Sequence, residues 1–335
     1  MSCYHPLIGI PIGLTENGKK KFLIRSASSS RDPFLEAKVN NGVLIPCGKC
    51  IGCRLDYSRQ WADRMMLELE TMKKGVFVTL TYNDENIHWS KYDENGKPLY
   101  GTLVKKDVQL FMKRLRKELS YSGIKIRFYA AGEYGSKNLR PHYHIVLFGV
   151  GLSDLGCNKP FSWNDLRQPY FRSPLLEKVW TSGFVLACDV SYETCAYVAR
   201  YVTKKLNGER KEEYERRNCI PEFCLMSRKP GIGADFIKEN PDKLDLIQFN
   251  ISTPEGGRKI PIPKYYIRQL KGENRPENQF ILPDKEKYDK MMSARIKFAS
   301  DSNLIELQKT DLEFTEYLER KEYERKQKIK SIGRK

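Results

Sequence analysis

Between Val76 and Leu206 the sequence alternates two periods, and the order of that alternation restricts the fold more than any other property of the chain. VFVTLTY (76–82) is rich in β-branched and aromatic residues, the composition of a central strand. A polar loop holding NDEN and DENGKP follows. Over 103–120, Val108, Phe111, Met112, Leu115 and Leu119 recur at helical spacing, Lys113, Arg114, Arg116 and Lys117 face away, and Gly123 closes the helix. IKIRFYAAGEYG (124–135) and HYHIVLFG (142–149) read as two strands joined by the tight loop SKNLRP. Ser173-Pro174 is a helix-start signal for PLLEKVW, FVLACDV (184–190) a fourth strand, and TCAYVARYVTKKL (194–206) a further helix. The order β-α-β-β-α-β-α predicts an α+β fold, a ferredoxin-like (split βαβ) antiparallel sheet with helices on one face.

The flanks are less regular. Residues 1–54 read as an irregular arm, with prolines at 6, 11, 33 and 46, the run SASSS, and the cysteine-rich turn CGKCIGC at 47–53. From Arg54 the pattern turns helical, with Leu55, Ala62, Met65, Met66, Leu69 and Met72 at three- and four-residue spacing, until Gly75. Beyond 208 come the charge run ERKEEYERR, the turn-rich SRKPGIG and a helical tail whose last sixteen residues hold eight Lys/Arg and two Glu. The expected division is an arm (1–54), a central α+β domain (55–208) and a basic C-terminal extension (209–335).

Composition narrows the class. Lys and Arg number 59 against 42 Asp and Glu, a net charge of +17, which in an aromatic-rich folded chain favours a polyanionic partner, nucleic acid first. The longest nearly uninterrupted apolar run, Ile145 to Leu152, is far below the roughly 20 residues of a membrane span. The opening MSCYHPLIGIPIGL lacks a basic start and carries two prolines, unlike a secretory signal. Nine cysteines, an odd number, fit a reduced cytoplasm.

Two of the four histidines, His142 and His144, are alternate residues of one strand and so share a face. Glu133, on the preceding strand, is near enough to join them. Two nitrogens and a carboxylate oxygen leave coordination positions open, which suits a catalytic divalent cation, Mg²⁺ or Mn²⁺. On the helix at 194–206, with Tyr197 at zero and about 100° per residue, Tyr201 falls near 40° and Lys204 near −20°. Cys195, Val198, Ala199, Val202 and Leu206 gather on a separate apolar stripe. Tyrosines that only fill a core belong in that stripe; these lie outside it. A phenol near a bound cation is a competent nucleophile toward phosphorus, and Lys204, or Lys205 on the next row, adds positive charge or protonates a leaving oxygen.

HYH at 142–144 and Tyr197-Val-Ala-Arg-Tyr201-Val-Thr-Lys-Lys resemble the paired motifs of HUH endonucleases. With FVTLTYND (77–84), CGKCIGC before a helix, GEYG…RPHYH and SRKPGIG, the chain from about 44 to 270 resembles the replication initiators of gokushovirus-type microviruses, small phages with circular single-stranded DNA. The resemblance implies His142 and His144 as metal ligands and Tyr197 and Tyr201 as nucleophiles; Glu133 as third ligand rests on its position alone. It also implies a DNA-binding face at the TLTY strand, with Thr79, Thr81, Arg140, Arg200 and Lys205 as candidate contacts. The implied activity nicks the origin of the replicative-form DNA by tyrosine transesterification. The protein stays on the 5′ end and later reseals the circle, in the host bacterial cytoplasm. No phosphate loop of the GxxxxGK[ST] type occurs, so a host helicase and polymerase are expected partners. Membrane association is not expected.

Cys47, Cys50 and Cys53 make a candidate structural metal site lacking a fourth ligand, for which Cys3 and His5 are candidates distant in sequence. Two other readings explain the charge: a non-catalytic ferredoxin-like nucleic-acid-binding module, which leaves the Tyr-Tyr-Lys face unexplained, and a plasmid relaxase or transposase relative with the same chemistry.

Overall fold

In the computed structural model, residues 3–16, 18, 20–30, 33–135, 138–163, 168–204, 211–245, 248–253, 256–272 and 279–332 are described, with backbone alone at 34, 201–204, 211, 245, 252–253, 294–304, 330 and 332. The chain divides into two units, Met1–Tyr57 with Glu286–Lys335, and Ser58–Lys285.

The N-terminal segment is not an irregular arm. β1 (Leu7–Leu14) pairs antiparallel with β2 (Lys20–Ser26) and β3 (Val43–Ile45), and α1 (Pro33–Val39) precedes β3. The prolines that argued against regular structure sit where they cost little: β3 pairs only with Leu7–Gly9, so Pro11 lies beyond the doubly paired part of β1, and Pro33 opens α1. α2 (Ile51–Met72) begins inside the cysteine-rich turn, three residues earlier than its apolar stripe suggests.

The second unit holds β4 (Gly75–Tyr82), the hairpin β5 (Trp89–Tyr92) and β6 (Pro98–Gly101), α3 (Lys105–Ser120), β7 (Arg127–Tyr134), β8 (Pro141–Phe148), β9 (Pro160–Trp163), β10 (Pro169–Phe171), α4 (Pro174–Val179), β11 (Gly183–Asp189) and α5 (Tyr192–Lys204). After these come α6 (Lys211–Arg217), β12 (Phe223–Met226), α7 (Ala234–Glu239), the hairpin β13 (Gln248–Thr253) and β14 (Gly256–Pro261), and α8 (Lys264–Leu270). Seven strands form one sheet in the order β12-β7-β8-β4-β11-β10-β9, every neighbouring pair antiparallel. The expected α+β class with a large antiparallel sheet is what the chain adopts. The polar loop after β4 contains the β5–β6 hairpin, and β9 and β10 extend the sheet beyond the four strands read from the sequence.

Strand alternation divides the side chains between two faces. Val76, Val78, Leu80 and Tyr82 of β4 and Tyr143, Ile145 and Leu147 of β8 share one core with Val108, Phe111, Met112, Leu115 and Leu119 of α3 and Leu176 and Val179 of α4. Full burial of each such side chain contributes roughly 1.5–3 kcal/mol, enough to hold α3 on the sheet. α4 starts where Ser173 caps it, its Oγ accepting from the Leu176 N–H at 3.1 Å. The opposite face carries α5, which packs on β7, β8 and β12, and α2, whose Trp61 ring lies 5.3 Å from that of Tyr129. The helices therefore cover both faces, not one as expected. Cys195, Val198 and Ala199, the apolar stripe of α5, are fully buried; the Val202 side chain and Leu206 lie outside the described residues.

The SRKPGIG loop is braced from within. Arg64 of α2 donates to the Ile232 carbonyl at 2.7 and 3.0 Å, and Glu68 accepts the Gly233 N–H at 2.6 Å and pairs with Arg127. Its backbone is thus committed to this protein. The C-terminal helices are α9 (Lys285–Leu307) and α10 (Phe314–Ile332). The basic tail is not wholly solvated: Phe314, Tyr317 and Leu318 are buried with Tyr4, Leu307 and Leu312 packed on them. Among the described residues, no helix is long and apolar enough to cross a membrane.

Candidate metal centre and nucleophile

The register of β7, β8 and β4 aligns Glu133, His142 and Thr81 in one row across the sheet, and Ala131, His144 and Thr79 in the next. Directly opposed residues of antiparallel strands share a face, so the carboxylate and both imidazoles meet on the side covered by α5. Nε2 of His142 lies 2.7 Å and Nε2 of His144 2.8 Å from the same oxygen, Oε1 of Glu133. The Tyr197 hydroxyl, arriving from α5, donates to that oxygen at 3.0 Å. Its ring stands edge-on to His144, centroids 5.0 Å apart. Glu133 and His144 are buried, while His142 and Tyr197 are half-buried and form the open side of the site.

The outer nitrogens decide what such a site can hold. His142 Nδ1 lies 3.0 Å from the Arg140 carbonyl, which can only accept, so Nδ1 carries the proton. In the neutral ring Nε2 is then a lone pair, and it faces a carboxylate oxygen at 2.7 Å. Two acceptors at that distance require a cation or a proton between them. His144 Nδ1 is held by the Thr79 hydroxyl at 3.1 Å, the outer-shell support typical of a metal-binding imidazole. The three ligand atoms lie within 4.8 Å of one another. Glu133, His142 and His144 thus fit a divalent cation: one carboxylate and two imidazoles, fixed from outside and open toward Tyr197.

The neighbouring groups are poor competitors for the nucleophile's part. Burial pushes the phenols of Tyr82 and Tyr143, on the opposite face, well above their ordinary value. Burial also raises the Cys195 thiol of α5, and that of Cys188 to about 12. Tyr197, half-buried at the mouth, is the hydroxyl the fold presents to the imidazole pair.

The other expected residues divide. Thr79 turns its hydroxyl to His144. Thr81 is half-buried on the His142 row. Arg140 spends its guanidinium on the Tyr82 carbonyl at 2.8 and 3.0 Å and on Asp84 at 2.7 Å, which braces the hairpin beside the site. Arg200 is exposed, its guanidinium 5.3 Å from the Tyr197 ring centre. The side chains of Tyr201 and Lys204, and the whole of Lys205, lie outside the described residues. Cys47, Cys50 and Cys53 belong to the other unit. Sequence reasoning did not find the positioning role of Thr79, although its place opposite His144 follows once the strands are paired in register.

A family profile of replication-associated proteins of the ORF2 type matches residues 75–206, which contain every residue of this site. The chain is 36% identical over 236 residues to the replication-associated protein ORF2 of Spiroplasma virus 4, covering 68% of each. It is 30% identical over 238 residues to the replication-associated protein VP4 of Bdellovibrio phage phiMH2K, covering 70% of this chain and 69% of that one. A shorter match, 29% over 163 residues, is to the replication-associated protein ORF4 of Chlamydia phage 1. No solved structure matches the chain. Likeness of this extent, over two thirds of both partners and centred on the sheet that carries Glu133, His142, His144 and Tyr197, makes the chain a member of the replication-associated proteins of microviruses.

Proposed function

We propose that this protein starts rolling-circle replication of a phage genome as an HUH-type nickase and strand transferase, with Tyr197 as a nucleophile. The observation that carries the reading is the convergence of the Tyr197 hydroxyl and both imidazoles on one carboxylate oxygen. The order β11-β4-β8-β7 supports it: taken with the connections through α3 and α4, it is the 4-1-3-2 order of a ferredoxin-like sheet.

A divalent cation, Mg²⁺ or Mn²⁺, held by Glu133, His142 and His144 would polarise the scissile phosphate and offset charge in the transition state. The protein's own groups do the rest. Glu133 orients the Tyr197 oxygen and is the nearest base for its proton. As the Tyr197 Oη–phosphorus bond forms, the bond from phosphorus to the 3′ oxygen breaks, and that oxygen takes a proton and leaves as a free hydroxyl able to prime a host polymerase. The 5′ end stays on the protein as a phosphotyrosine diester. One ester replaces another, so resealing needs no ATP. Tyr201, one turn on, would cut the regenerated origin, with Lys204 protonating a leaving oxygen. Arg200, Lys205 and Thr81 are proposed contacts of the DNA strand, which must be single-stranded or extruded to reach the mouth. Unwinding falls to a host helicase.

The test is an end-labelled single-stranded origin oligonucleotide incubated with the full chain and Mg²⁺ or Mn²⁺. An SDS-resistant adduct is expected, abolished by Tyr197→Phe/Tyr201→Phe with DNA binding retained, and peptide mass spectrometry should find the nucleotide on one of these tyrosines. Oligonucleotides tiling the genome that give binding but no adduct would instead support the non-catalytic module.

A further inference from the structure

Cys3, Cys47, Cys50 and Cys53 come together in the unit formed by the two ends of the chain, their sulfurs all within 4.8 Å of one another. Cys3 and Cys50 are buried, Cys47 and Cys53 half-buried, and none is in a disulfide. The Cys3–Cys50 sulfur separation is 4.0 Å, about twice a disulfide bond. It is close to the edge of about 3.8 Å expected for four sulfurs at about 2.3 Å from one tetrahedral ion.

The backbone around the sulfurs is arranged for thiolates. The N–H groups of Tyr4 and Cys53 donate to Cys50 Sγ at 3.3 and 3.4 Å, that of Cys47 to Cys3 Sγ at 3.2 Å, and that of Cys50 to Cys47 Sγ at 3.3 Å. Such donors disperse negative charge on ligating sulfur. Cys50 and Cys53 also stand at the N-terminal end of the 22-residue α2, where the helix dipole favours anions. Gly48 adopts φ +76°, which lets the Cys47–Cys50 turn curl so that both sulfurs point inward.

A separate observation says why the fold needs a clip here. The β1–β2–β3 sheet with α1 buries a core of only Ile8, Ala27 and Ala37, with Ile10 and Leu44 packed on it, while Ile12, Leu14, Leu23 and Ile24 are more than half exposed. So few buried apolar residues cannot offset the entropy of ordering the segment, and small units of this kind are stapled by metal or disulfide. A bond network joining residue 3 to residues 47–53 closes the chain around that sheet.

We propose that Cys3, Cys47, Cys50 and Cys53 hold one structural zinc ion as a closed tetrathiolate. His5 is not a ligand: its Nε2 is 2.9 Å from Glu322 of α10. Zinc displaces the thiol protons on binding and exchanges no electrons, and a filled four-sulfur shell leaves no position for substrate, so the site organises structure and takes no part in strand transfer.

The experiment uses the full chain carrying His142→Ala/His144→Ala, which removes the other centre, purified under reducing conditions without chelator. One zinc per chain by elemental analysis is expected, with an X-ray absorption spectrum of four sulfurs at about 2.3 Å. Adding Cys47→Ser/Cys50→Ser should lose that equivalent. A folded chain without zinc, a shell containing nitrogen or oxygen, or unchanged zinc in the serine variant would overturn the proposal. If the serine variant does not fold, the absorption spectrum of the protein with its cysteines intact decides alone.

Discussion

Replacing Glu133 with glutamine preserves shape and removes one charge at the point where three side chains converge. In the metal-free protein the carboxylate Oε1 faces the His142 Nε2 lone pair at 2.7 Å, from a residue only 3% exposed. A glutamine side chain rotated to bring its NH₂ there donates where the carboxylate could only accept. One such bond is worth about 1 kcal/mol, and in a unit of this size about 2–4 °C in Tm. Metal-free Glu133→Gln should therefore melt at or above wild type at about pH 8, beyond the ordinary imidazole range. Added Mn²⁺ should reverse the order. At a hundred times Kd, wild type gains about 2.7 kcal/mol, about 5–10 °C, while the amide variant gains almost nothing. Thermal melting against Mn²⁺ concentration measures both, and Mn²⁺, which prefers oxygen and nitrogen, leaves thiolate-bound zinc in place. Equal Mn²⁺ shifts in the two proteins, or a metal-free variant destabilised by about 2 kcal/mol or more, would refute the reasoning.

Three further perturbations separate positioning from packing. Thr79→Val removes the hydroxyl that holds His144 Nδ1 and should raise the Mn²⁺ concentration needed for half-maximal cleavage by roughly 10–100-fold, with Thr79→Ser restoring it. Unchanged Mn²⁺ dependence in Thr79→Val would reduce the threonine to a spectator. Ser173→Ala deletes the α4 cap and should cost about 1 kcal/mol in chemical denaturation without altering adduct yield at low temperature. Tyr197→Phe leaves Glu133 with both imidazoles, so it should retain the wild-type Mn²⁺ melting shift while its adduct at Tyr197 is lost; disappearance of the shift would show that the phenol supports the cation.

Much of the site was legible because it depends on local periods. The i, i+2 spacing of His142 and His144 fixes a common face of one strand, and the short hairpin carries Glu133 opposite His142 in the register observed. The helical wheel separated Tyr197 from Cys195, Val198 and Ala199, and those three are buried. What escaped depends on contacts far apart in the chain. β9 and β10 are short, with a register shift between them, and add to the sheet only because β11 offers an open edge. Cys3 is separated by 44 residues from Cys47, and only the return of β3 alongside β1 brings them together. The basic tail looked solvated because its charges outnumber the Phe314, Tyr317 and Leu318 cluster that anchors it.

The placement of α5 shows how two sequence readings, each reasonable alone, exclude one another. In β8 the odd positions Tyr143, Ile145 and Leu147 lie in the core with α3, so strand alternation sends His142 and His144 to the other side. A helix whose tyrosine reaches those histidines must cover the side that α3 does not. An arrangement with every helix on one face would have left Tyr197 separated from the imidazoles by the thickness of the sheet. The apolar residues of α3 and the alternation within HYHIVLF together require cover on both faces. The stripe on α5, with Cys195, Val198 and Ala199 pointing one way and Tyr197 beside it, has the amphipathic form such a second layer needs. The same parity makes the centre sensitive to length. One residue inserted in β8 ahead of His142 would leave the histidines in place while shifting the β7 hairpin register, turning Glu133 from the imidazoles toward the α3 core, where an unpaired carboxylate is strongly disfavoured. The insertion should therefore abolish the Mn²⁺ melting shift, and a shift of wild-type size would show that the hairpin absorbs the extra residue without turning Glu133 away.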